Sequence, residues 1–474
     1  MHQRTPTRRL AAVLITALAT TAAPAAAASP TPTPSTAQSV PSAASATTAS
    51  AAETPAPPAP PAPPAPPDPF YTYDGGEPLS SFAPGEALKT RTVLYHVVGV
   101  PTPVEAIQLL YRTTDAQGRP AAGVTSVVRA PGGDGRKAVS YQSAYDSLNP
   151  EDAPSRAIAG EVRLGGLIPN AESVVLVPLL LKGYDVVIPD TEGQTADFAA
   201  GPEYGATTLD SIRAATRSPA TGMDSGTRFA LLGYSGGAIA THWAAVRAPR
   251  YAPEVNRRLV GFAEGGLLVA PAHNLKYVDG SLVWSGVIPM ALIGASRAYD
   301  IDLKRYMNDY GRKVLDRLEH ASIINALAQY PGLTWKKLAK PQYADPNSVP
   351  EYVEAVNRLN LGQAPTPTVP GFIAQGNGGV LEGTFSHHPG IGTGDGVMVA
   401  GDVRTLARQY CADGNRSITY RQYDLLSHAG AIAPWAPAAL GWLDDRFAGR
   451  TPPSDCGRIP PGNSLEPQRY MPIP

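Results

Sequence analysis

The chain has 474 residues, with 39 Lys or Arg against 40 Asp or Glu and a formal net charge of −1. No run of basic residues interrupts that balance, which excludes the electrostatic footprint of a nucleic-acid-binding protein. The 50 prolines are crowded toward the N-terminal end, so one part of the chain cannot bury a core while the remainder can.

Arg4, Arg8 and Arg9 precede an apolar run from Leu10 to Thr20 and the sequence Ala26-Ala27-Ala28. A charged start, a short apolar stretch and a small-residue cleavage site predict a secretory signal peptide over residues 1–28, and hence a secreted, extracellular protein. Thr7-Arg8-Arg9-Leu10 lacks the Phe that follows a twin-arginine pair, which favours the general secretory route. Removing those three arginines leaves 36 basic against 40 acidic residues, a net charge near −4. Residues 29–68 are almost wholly Ala, Pro, Ser and Thr and read as a polyproline-type tether of about 3 Å per residue. A globular composition then predicts one large domain over 69–474.

Leu94–Val100, Ile107–Thr114 and Gly123–Ala130 read as strands broken by turns such as 115–120, an antiparallel start to a sheet. Ala138–Tyr141, Asp185–Asp190 and Arg228–Leu232 are short apolar strands, the last two separated by a helical stretch around 207–217. Two later strands, Gly371–Gln375 and Ser417–Tyr423, flank a helix from about Val397 to Tyr410. Strands alternating with helices predict an α/β fold around a mostly parallel sheet. Residues from about 266 to 362 do not continue the alternation. There, 303–329 is dense in helix formers and 350–359 is another short helix, so an inserted helical cap is expected. The apolar stretch 283–295 is about half the length a membrane span needs and contains Gly286, Pro289 and Gly294, so it reads as a buried or lid helix. Thus no transmembrane segment is expected.

Gly233-Tyr234-Ser235-Gly236-Gly237 sits between the Phe229–Leu232 strand and a helix-like run from Gly236 to Ala245. It has the G-x-S-x-G form of a nucleophile elbow, in which a serine occupies a strained strand-to-helix turn and side chains at −2 and +2 would collide with the neighbouring elements. In a chain with 46 glycines the motif alone is weak, and its strand–turn–helix context carries the assignment.

A serine nucleophile needs a base, and the base needs an orienting carboxylate. On a sheet of this kind they follow in the order Ser, acid, His. Of eight histidines, His428 alone lies just past the last strand. Asp395, in Gly394-Asp395-Gly396, follows the Phe372 strand and precedes a helix, and is the expected acid. Asp402, inside that helix, and Asp424, within the last strand, read as solvated or capping residues. Glu382 and His388 read as members of a polar loop at the rim, with His387 beside them. The N–H of Gly236 is one expected oxyanion donor, and the turn around Asp146, after the 138–141 strand, supplies the second. Cys411 and Cys456, the only cysteines, are expected to pair in an oxidising compartment. The chemistry calls for neither metal nor organic cofactor.

Tyr141-Gln142-Ser143-Ala144-Tyr145-Asp146-Ser147, Pro189-Asp190-Thr191-Glu192-Gly193, the Ser235 motif, Gly394-Asp395 and Ser427-His428 occur in order at suitable spacings. Together they resemble the secretory lipase family of the lipase-A type over about residues 70–460. The resemblance implies an α/β-hydrolase with a helical cap, acting on acylglycerols and other carboxylic esters through Ser235, Asp395 and His428, with the backbones of Asp146 and Gly236 as the oxyanion hole. The chain departs from the fungal pattern in its longer 377–393 loop and its single cysteine pair. The expected partner is a lipid or ester substrate. A peptidase or polyester depolymerase would use the same triad. A non-catalytic surface module would need only the tether.

Overall fold

The computed structural model describes residues 68–385 and 388–473. The expected leader, the tether up to residue 67, and His387 therefore lie outside the described residues. β1 (Ala87–Val97), β2 (Val100–Thr114) and β3 (Pro120–Val128) form an antiparallel meander. β4 (Lys137–Gln142), β5 (Asp185–Pro189), β6 (Arg228–Tyr234), β7 (Leu259–Gly265), β8 (Gly371–Gly376) and β9 (Ile418–Tyr423) complete a nine-stranded sheet in the order β1-β2-β3-β5-β4-β6-β7-β8-β9. β3 meets β5 antiparallel, and all pairs from β5–β4 to β8–β9 are parallel.

The longer helices explain why β5 and β6 read as unbroken apolar runs. α1 (Ser173–Leu181) covers one face of the sheet, while α2 (Gly201–Arg217) and α3 (Gly236–Tyr251) cover the other. Successive strand residues point to opposite faces, so Val186 and Leu232 pack with Leu176 and Leu179 of α1, whereas Val187 and Leu231 pack with Leu209 and Ile212 of α2. All five residues of β5 are buried.

β7 was not expected from the sequence. Its residues, Leu259-Val260-Gly261-Phe262-Ala263-Glu264-Gly265, carry two glycines and a carboxylate in place of an apolar run. The tertiary structure supplies what the pattern lacks. Trp442 occupies the space a side chain at Gly261 would need, and Glu264 is fully buried with Oε1 2.5 Å from His242 Nδ1.

Between β7 and β8 the chain is helical: α4 (Pro271–Val278), α5 (Val287–Tyr299), α6 (Asp309–Leu318) and α7 (Pro350–Arg358) are its longer elements. The helix-rich stretch 303–329 is broken into short pieces because polar residues within it cap new starts. Asn308 accepts from Gly311 N–H, and Ser322 forms a reciprocal capping box with Asn325. α5 begins four residues later than the apolar stretch suggests, after a 3-10 turn over Trp284–Gly286.

α8 (Ala400–Ala412) follows β8, and α9 (His428–Phe447) follows β9. Cys411 at the end of α8 is disulfide-bonded to Cys456. The irregular segment beyond it runs back over α8 and α7, where Asn463 N–H donates to Gly401 O and Asn357 brackets the backbone of Gln468. No described helix is long and apolar enough to cross a membrane.

Candidate active site

β6 ends at Tyr234 and α3 begins at Gly236, so Ser235 alone makes the turn, at φ 57°, ψ −121°. A side chain rarely tolerates that conformation, and the surroundings enforce it. A Cβ on Gly233 would lie 2.2 Å from Gly237 O, and one on Gly237 would lie 2.0 Å from Gln142 O. The −2 and +2 positions are thus closed to any side chain, as the motif requires. Ser235 N–H donates to Gly265 O at the end of β7, which locks the turn to the sheet.

His428 is the first residue of α9, behind the N-cap Ser427. Its Nε2 lies 2.7 Å from Ser235 Oγ and its Nδ1 lies 2.7 Å from Asp395 Oδ2. A second tie, His428 N–H to Asp395 O at 2.7 Å, holds the two residues by backbone as well as side chain. The Asp395 carboxylate is fully buried and fully partnered. Oδ1 accepts from Val397 N–H and Met398 N–H, and Oδ2 accepts from Gln375 Nε2 as well as from His428. Tyr234 hydroxyl donates to His428 O at 2.7 Å, so the Ser235 turn also anchors the loop that carries His428. Burial pushes the His428 pKa down, but the carboxylates of Asp395, Glu382 and Asp146 outweigh it, and the net displacement is upward.

Asp146 lies in a turn at φ 40° after β4. Its carboxyl is pressed against Gly236, where a Cβ would fall 1.7 Å from Asp146 Oδ1. Among the described residues, neither the Asp146 N–H nor the Gly236 N–H donates to any group. The turn is held from three sides. Ile323 N–H donates to Asp146 O, Ser147 N–H donates to the buried Glu192 carboxyl, and Ala144 N–H donates to Glu172 Oε1. Burial raises the pKa of Asp146 and of Glu172 to about 7 and that of Glu192 well above the usual range.

Ser235, Gly236 and Asp146 open into a cavity. Its wall is apolar, contributed by Ile239 of α3 and by the inserted segment through Trp284, Ile288, Leu292, Tyr352 and Val356. Such a wall takes up hydrocarbon and leaves the polar groups at one end.

Against known proteins, residues 160–455 match the model of the family described as secretory lipase. The chain belongs to the secretory lipase family. Lipase 5 of Candida albicans is 30% identical over 416 residues, covering 84% of each chain. A Mycobacterium tuberculosis protein named a probable inactive lipase is 32% identical over 392 residues, 81% of this chain and 82% of that one. Among solved structures, Candida antarctica lipase A is similar with a TM-score of 0.72 at 25% identity, and its closed state with 0.70 at 26%; each covers 84% of this chain and 89% of that one. Membership and these neighbours place the chain among the lipase and esterase hydrolases of the α/β-hydrolase fold.

Ser235, Asp395, His428, Asp146 and Gly236, widely separated in the sequence, are brought to one place. Three expectations need correction. Asp402 is neither solvated nor a cap: it is buried in the first turn of α8 and accepts from His273 Nδ1 at 2.9 Å and Asn463 Nδ2 at 2.7 Å. Asp424 is exposed, as expected, but lies one residue beyond β9 rather than within it, bonded to Gln422 and Asn377. Glu382 is no passive loop residue, since it bonds to Trp284 and to the residue after His428. His388 is exposed, as expected. Sequence reasoning missed Gln375, Glu172 and the His242–Glu264 pair. The available signal was a polar side chain in an otherwise apolar element, as in Phe372-Ile373-Ala374-Gln375.

Proposed function

We propose that the protein is a secreted serine ester hydrolase that cleaves acylglycerols and other carboxylic esters through an acyl-enzyme. The observation that carries this reading is the unbroken line Ser235 Oγ, His428 Nε2, His428 Nδ1, Asp395 Oδ2, with both contacts at 2.7 Å, at the polar end of an apolar cavity. His428 takes the Ser235 proton as Oγ attacks the ester carbonyl, and Asp395 holds the imidazole in the tautomer that can accept it. The N–H groups of Gly236 and Asp146, free of other acceptors among the described residues, receive the oxyanion. His428 then protonates the leaving alcohol, and a water activated by the same imidazole releases the acid. The acyl chain lies along the cavity wall formed by the inserted helices, which act as the cap. The leader and Pro-rich tether serve export and spacing from a surface.

Ser235→Ala tests this directly. It removes the nucleophile and little packing, so hydrolysis of p-nitrophenyl butyrate falls by about 10⁴-fold or more at an unchanged melting temperature, and labelling by a fluorophosphonate probe is lost. Substantial turnover by the variant, or a wild-type protein that takes no label, would sink the assignment. The second result is also what an inactive chain would give, the case suggested by the mycobacterial relative named a probable inactive lipase.

A further inference from the structure

Glu382 ends the short 3-10 turn Gly379–Glu382 between β8 and Asp395. One carboxylate oxygen, Oε1, accepts from Ala429 N–H at 2.8 Å. Ala429 is the second residue of α9, and His428 is the first, so this carboxylate caps the helix whose opening residue is the base. The other oxygen, Oε2, accepts from Trp284 Nε1 at 2.7 Å. Trp284 is buried, belongs to the inserted segment, lines the apolar cavity, and meets the His428 ring edge-on at 5.2 Å between centroids.

The meeting needs the absence of a side chain next to the acid. A Cβ on Gly396 would lie 2.8 Å from Glu382 Oε2 and 3.0 Å from Trp284 Nε1. Gly396 also sits at φ 130° and its carbonyl accepts from Thr384 hydroxyl, which fixes the loop carrying Glu382 over Asp395. One carboxylate thus touches the cap, the base's helix and the neighbour of the acid.

We propose that Glu382 is a positioning residue of this site, its carboxylate tying the cap's Trp284 to the first turn of the helix that begins with His428, so that a seated cap and an aligned base go together. The inference rests on the hydrolase reading above. Glu382 is not among the residues lining the cavity and bonds to neither Gly236 nor Asp146, so it acts through Trp284 and the first turn of α9. The titratable groups facing His428 are Asp395, Glu382 and Asp146, and Tyr234 hydroxyl holds its carbonyl. Of these, Glu382 can be neutralised without disturbing Ser235 or the oxyanion donors.

The test uses the full-length secreted protein and p-nitrophenyl butyrate across pH. Glu382→Gln keeps the shape and one acceptor but loses the charge. It is expected to lower kcat by ~10-fold with little change in KM, through a poorly aligned base. It should also move the acid limb of the kcat/KM profile to lower pH by roughly 0.5 to 1, because the protonated imidazole loses a stabilising charge. Glu382→Ala should be worse in kcat. Trp284→Phe removes the indole donor and leaves the charge, so it should lower kcat without moving the acid limb, and the Glu382→Gln, Trp284→Phe pair should be less than additive. An acid limb and kcat unchanged in Glu382→Gln and Glu382→Ala, in wild-type-like folded protein, overturns the proposal while leaving the hydrolase reading intact. Additive effects of Glu382→Gln and Trp284→Phe overturn the coupling. A wild-type protein that neither hydrolyses the ester nor labels at Ser235 overturns both readings.

Discussion

Replacing Asp395 by Asn separates the two buried aspartates of this region and can be worked out atom by atom. The Asp395 carboxylate accepts four hydrogen bonds, two at each oxygen. An asparagine has one carbonyl oxygen and one amide nitrogen. The carbonyl satisfies Val397 and Met398 N–H, which leaves the amide N–H₂ facing Gln375 Nε2 and His428 Nδ1. His428 responds by presenting an unprotonated Nδ1, which places its proton on Nε2, opposite Ser235 Oγ. A base already protonated at that nitrogen cannot accept the serine proton. In a serine protease with the same triad logic this tautomer trap lowers kcat by about 10⁴, equivalent to about 5.4 kcal/mol, and a drop of that order is expected here. Asp402→Asn should give the opposite pattern. Among the described residues the Asp402 carboxylate bonds to His273 and Asn463 and to none of Ser235, Asp395 and His428, so the cost falls on stability, about 1–3 kcal/mol, and kcat should change by less than about threefold. Steady-state hydrolysis of p-nitrophenyl butyrate and a thermal melt of each variant measure both effects. The reasoning fails if Asp395→Asn keeps kcat within tenfold of wild type, or if Asp402→Asn abolishes activity in a stably folded protein.

Two further outcomes follow from burial and connectivity. Asp190 is 2% exposed, accepts from Ser155 N–H and hydroxyl, and has its pKa raised to about 6 by desolvation. A carboxyl raised in the folded state contributes fully below its unfolded pKa of about 3.9 and loses that contribution as pH rises through about 6. Wild type should therefore lose up to about 3 kcal/mol relative to Asp190→Asn between pH 4 and pH 7.5, read by urea unfolding at both pH values; a difference that does not change with pH refutes the shift. The Cys411–Cys456 bond spans a sequence separation of 45 and encloses β9 and His428. Replacing both cysteines by serine should cost about 4 kcal/mol in the chain-entropy model and several degrees of melting temperature, with activity at low temperature largely kept. An unchanged melt would show that the segment after α8 is held by its other contacts alone.

The convergence of Ser235, His428 and Asp395 was legible in the chain because each sits where local rules are strict. Ser235 needs glycines at −2 and +2, and the parallel sheet forces the order of loops that bring Asp395 and His428 to its edge. The same alternation of strands and helices announced the α/β architecture. What the sequence did not determine by itself is the partnering of polar groups, because a hydrogen bond between Glu382 and Trp284, or between Asp402 and His273, joins residues about 100 or more apart and leaves no periodic trace. β7 was hidden for the same reason: Gly261 and Glu264 suit a strand only where Trp442 fills the missing side chain's space and His242 receives the buried carboxylate. Local pattern reports which face of an element is buried. Tertiary packing decides which buried charge is matched, and that is where the inserted helices, the Asp395 loop and His428 meet.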